Sequence, residues 1–130
     1  MKLMAAAGAF LGIGGVLLII FVVPFVVYGA ASVFGGLKPP DTASPARFLG
    51  GVLVTKLGTA IAFVALFALT REVWQGQWLL YGLLWLVMFA LSEVGEAISG
   101  RTTVPEAVLG VVSECLYAPL SALVVSRLLR

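Results

Sequence analysis

Four charged residues stand where charge is expensive. Lys56, Glu93, Glu96 and Glu114 each interrupt a stretch that otherwise reads as membrane-spanning helix. An ionised group at the centre of a bilayer costs about 2.5–3.5 kcal/mol on insertion scales, so such groups are usually paired, buried in a bundle or functional. Carboxylates in that setting can exchange protons, bind a cation or serve as general acids. A lysine among them supplies counter-charge. One lysine cannot neutralise three carboxylates, so at least one glutamate is expected to hold a proton near neutral pH, through desolvation and like-charge repulsion.

The spacing of these residues defines faces. Trp85, Phe89, Glu93 and Glu96 are four, four and three apart, so aromatic surface leads along one helical face into the carboxylates. Ala107, Gly110, Glu114, Ala118 and Ser121 make a small-residue face that leaves space around Glu114. Lys56, Thr59 and Phe63 share a third face. A cavity that is polar at one end and aromatic deeper in is expected. Glu93, Glu96, Glu114 and Lys56 are its candidate proton- or substrate-binding groups, with Trp85 and Phe89 lining the apolar part. Glu93 and Glu114 are the catalytic candidates if the chain is an enzyme. The plainer alternatives are a Glu96 solvated at a helix end, a Lys56 that snorkels to the interface, and a Lys56–Glu114 or Lys56–Glu93 pair that merely locks the bundle.

The elements that must position these groups follow from composition. The chain has 130 residues, 62% hydrophobic and 11% charged. Soluble domains carry roughly 25% charged residues, so this is an all-α integral membrane protein with no soluble module. Four apolar runs, at about 3–34, 48–70, 77–99 and 104–126, are long enough to span, and form one domain over residues 1–130. The first is too long for a signal-peptide core and is read as a retained helix. It carries Ala5, Gly8, Gly12 and Gly15 at near-helical spacing, a face suited to close helix approach and to homo-oligomer contact, and then Pro24, which should kink it. Gly35 to Ala46 reads as a turn region, and Trp74 and Trp78 as interfacial anchors. Thr103-Val104-Pro105-Glu106 fits a capping box that opens the last helix.

Short connections make consecutive helices antiparallel neighbours, hence a four-transmembrane-helix antiparallel bundle. At 1.5 Å rise per residue, Lys56 and Glu114 lie ~12 and ~15 Å below the face where the third run ends, and Glu93 and Glu96 ~9 and ~5 Å below it. All four fall in the same half of the hydrocarbon layer. Lys2, Arg71, Arg127 and Arg130 lie on one side against Lys38, Arg47 and Arg101 on the other, which leans toward N-in, C-in in a cell (inner) membrane.

Several function classes drop out. The net charge of +2 has no basic cluster, so nucleic acid is not an expected partner. There is no histidine, which removes most metal sites and a Ser-His-Asp hydrolase; neither a metal nor a cofactor is expected. The single Cys115 cannot form an intramolecular disulfide and should pack as a small apolar group. The size and four-helix plan resemble small multidrug transporters, but that family carries its membrane glutamate in the first helix, and the first run here has no acidic residue. Emopamil-binding-type sterol isomerases likewise use acidic groups beside aromatics in a membrane cavity, without a residue-by-residue match to this chain. The leading expectation is a proton-coupled or cation-binding small-molecule transporter, working in the lipid bilayer on an apolar or cationic small molecule. The alternatives are a membrane enzyme (isomerase, cyclase or epoxide-opening) acting on a lipid or terpenoid through a glutamate general acid, and an accessory subunit of a larger membrane complex.

Overall fold

The structure, a computed structural model, describes residues 2–36, 44–74 and 76–129, with side chains from residue 6 onward. Lys38, Asp41 and Arg130 lie outside the described residues. The chain is all-α: α1 (Lys2–Gly35), α2 (Pro45–Leu69), the short α3 (Arg71–Trp74), α4 (Trp78–Ile98) and α5 (Val104–Leu128). The four long helices are each long and apolar enough to cross a membrane, which makes the chain a multi-pass integral membrane protein.

Local chemistry fixes the ends. Helix α2 begins at Pro45, inside the stretch read from sequence as a turn, because Ser44 caps it. The Ser44 hydroxyl accepts from the Arg47 N–H and Pro45 takes the first turn, where its missing donor costs nothing. The box at the start of α5 forms fully. Thr103 Oγ1 accepts from the Glu106 N–H, and Glu106 Oε2 accepts from the Thr103 N–H at 2.9 Å. Between α2 and α4 the chain makes the single turn of α3, where Trp74 Nε1 donates to Thr70 Oγ1 at 2.7 Å.

The long helices alternate in direction. Gly8 on α1 meets the Leu128 carbonyl of α5, and Gly15 meets Val124 one turn earlier. Gly82 on α4 lies against Pro119, Ala118 and Ala122 of α5. Gly12 faces Val64 of α2. The glycine stripe of α1 is therefore used inside the chain, against α5 and α2, rather than as a free docking face. Backbones approach that closely only where side chains are small, the usual basis of helix association in lipid. Helix α1 stays helical through Pro24, and α5 through Pro119.

Packing is uneven along the bundle. Helix α5 is central and buried at intervals from Ala107 to Val125. The buried residues of α2 (Ala60, Phe63, Val64 and Phe67) all lie in its second half. Those of α4, Tyr81 and Gly82, lie in its first turns, and α1 buries Val16 and Ile20. Burial by α2 and α4 is thus concentrated in the half of the bundle toward Arg71. In the half toward Arg101, α2 buries nothing, and the space it faces holds polar side chains. Cys115 is exposed on α5.

Candidate intramembrane site

The site begins with Gly110. A Cβ placed on this residue would lie 2.6 Å from Glu93 Cδ and 2.8 Å from both carboxylate oxygens. The Glu93 carboxylate of α4 therefore rests directly on the backbone of α5, in a space that only glycine leaves. One turn further along the same face stands Glu114, 4% exposed, whose Oε2 has no hydrogen-bond partner. Two carboxylates from two helices are so held within electrostatic reach of each other.

Lys56 approaches from α2. Its Nζ lies over the ring of Tyr117 on α5, 5.2 Å from the ring centre, within the distance of a cation–π contact. From there the ammonium interacts through space with both Glu114 and Glu93. Tyr28 of α1 closes the fourth side. Its hydroxyl donates to the Glu106 carbonyl of α5 at 3.0 Å, and its ring stands within the field of Glu93, Glu106 and Glu114. All four long helices thus contribute one or more groups to this cluster.

Beneath it runs a continuous series of rings. Tyr117 packs on Phe89 (centroids 5.9 Å apart), Phe89 on Trp85 (5.4 Å), and Trp85 on Phe63 (5.1 Å). Phe63 meets Tyr81 edge to face at 4.9 Å, and Tyr81 meets Phe67 and Trp74. The Tyr81 hydroxyl donates to the Phe63 carbonyl, so this buried polar tip is satisfied. Helices α2 and α4 meet largely through these rings.

Of the residues singled out from sequence, Lys56, Glu93, Glu114 and Phe89 lie together around Tyr117, and Trp85 lies one ring further in. Glu96 does not enter the buried cluster. It is exposed at the end of α4, where its carbonyl accepts from the Ser99 hydroxyl and the Arg101 N–H, both at 3.0 Å. It still acts on Glu93 through space. Arg101 is exposed and Glu106 is engaged in its cap. All five members of the small-residue face of α5 are buried, but the space beside them is filled, by Glu93 at Gly110 and by the backbone of α4 near Gly82.

Two members escaped the sequence reading. Tyr117 lies three residues after Glu114, a helical neighbour that the spacing alone could have supplied. Tyr28 has no such signal, because the rotation of α1 against α5 is set by the glycine contacts far below it. A recess of about 440 Å³, lined by Phe67, Arg71, Trp74 and Ser126 among others, opens at the opposite end of the bundle from the carboxylates. Comparison with protein families, with curated proteins and with solved structures finds no match to this chain.

Proposed function

We propose that the chain is a small membrane carrier that binds a proton or a cationic small molecule at Glu114 and Glu93, with Lys56 as their counter-ion. The observation that carries this reading is the buried, unpartnered Glu114 oxygen beside a second carboxylate held against Gly110. Two carboxylates against one ammonium leave one positive charge to be supplied. Uncompensated charge at that depth is costly, so a proton or a cation from outside the protein completes the site. Exchange of one for the other, at groups contributed by different helices, is the elementary step of a coupled carrier. The basic residues favour N-in, C-in insertion in a cell membrane.

Glu114→Gln keeps the shape and removes the exchangeable charge. In liposomes holding a pH-sensitive dye, this variant is expected to lose at least nine-tenths of the wild-type proton flux while keeping its melting temperature in detergent. Glu72→Gln, at an exposed residue of the far end, is the control and should behave as wild type. Undiminished flux in Glu114→Gln would sink the carrier reading. A second reading is favoured by the Tyr117, Phe89 and Trp85 rings, which suit developing positive charge beside a glutamate general acid. It predicts turnover of an apolar lipid or terpenoid in detergent, with no gradient present.

A further inference from the structure

The position of Lys56 says more than counter-charge. An ion pair that merely locked the bundle would set the ammonium on the free oxygen of Glu114. Instead that oxygen has no hydrogen-bond partner, and Nζ sits over the Tyr117 ring. The ring face and the two carboxylates together make a seat for a cation, and a residue of the protein itself occupies it. The tether is long and unbranched, and it leaves α2 in the half where that helix buries nothing. A stem of this length can carry its ammonium toward the headgroups.

The surroundings exceed what a lysine uses. Beyond Tyr117 the ring series continues through Phe89 and Trp85. A small hard cation is held by several oxygens in a shell, not by ring faces. A cation that spreads its charge over carbon, attached to an apolar or aromatic arm, matches a site made of ring faces with carboxylates at one end. Resting on the carrier reading above, we infer that Lys56 is a tethered occupant of a cation seat. The substrate class is then organic ammonium ions with an apolar arm, whose head displaces Lys56 from Tyr117 and whose arm lies along Phe89 and Trp85.

Displacement can be watched directly. Reductive dimethylation of the lysines with [13C]formaldehyde and a borane hydride donor keeps their charge and gives each a methyl resonance. The Lys56 resonance is assigned by its loss in Lys56→Arg, and the Tyr117 ring should shift it upfield, a shift that Tyr117→Leu removes and Tyr117→Phe keeps. In detergent, adding benzyltrimethylammonium is expected to move the wild-type Lys56 resonance to its Tyr117→Leu position. The neutral carbon isostere, neopentylbenzene, should leave it in place. If Lys56 holds the seat about nine-tenths of the time, removing it tightens apparent affinity about tenfold. Equilibrium dialysis of radiolabelled benzyltrimethylammonium against Lys56→Met should show that gain.

Binding of the ammonium with the Lys56 resonance still ring-shifted would overturn the displacement and leave the cation-binding carrier standing. Failure of both the wild type and Lys56→Met to bind it, with Glu114-dependent proton flux intact, would overturn the substrate class alone. Loss of both binding and flux would remove the carrier reading with it.

Discussion

Glu93 and Gly110 work as one unit, although they lie on different helices. The carboxylate has its place because the facing residue has no side chain, and the atoms that a new Cβ would meet are the far end of a flexible glutamate. Gly110→Ala should therefore be tolerated by the fold. Alanine in a helix interior is favoured over glycine by about 1 kcal/mol, so the melting temperature is expected to stay level or rise slightly. The carboxylate, however, must move off α5 and away from Glu114. Proton flux in liposomes should fall at least fivefold, and a variant with unchanged flux would show that the Glu93–Glu114 approach is not used. At this scale the sequence was informative about residue type and depth. Lys56, Glu93 and Glu114 stand out in an apolar chain because charge there demands a reason. It was silent about the Tyr117 ring as the seat of the ammonium, because a lysine stem long enough to reach several partners carries no preference that spacing records.

The helices obey a different logic. Gly82 is close to the backbone of α5, with Pro119 Cα at 3.1 Å and the Ala118 carbonyl at 3.2 Å from a Cβ built on it. Unlike the neighbour of Gly110, this neighbour cannot swing aside. Gly82→Ala must push α4 from α5, and overpacking of this kind costs about 1–3 kcal/mol. A melting temperature lowered by several degrees in detergent is expected, and one equal to that of Gly110→Ala would refute the distinction. Element boundaries were legible where the capping chemistry is written locally, as in Thr103 to Glu106. The start of α2 is harder to read, because Pro39 and Pro40 just before it mark a turn while Ser44-Pro45 is itself a helix start. The spacing of the α1 glycines marks a close-approach surface, but periodicity names no partner. The partners turned out to be α5 and α2.

The whole molecule is asymmetric along its length, with the buried side chains of α2 confined to its half toward Arg71 and the polar cluster lying in the half toward Arg101. Its outer surface carries large apolar side chains such as Phe10 (76% exposed) and Val54 (73% exposed), which suits lipid contact. Four crossings put both termini on one side. Reporter fusions at the two ends should therefore report the same compartment, the cytoplasm if the basic residues set orientation; opposite compartments would contradict the four-span topology. The all-α membrane class was determined by the sequence alone, because a bilayer permits few structures and the four apolar runs leave helices as the only way to satisfy every backbone group. The convergence of Tyr28, Lys56, Glu93, Glu114 and Tyr117 was decided by tertiary structure. It depends on how each helix is rotated about its axis, and that rotation is set by glycine contacts and stacked rings between residues far apart in the chain, which no local pattern encodes.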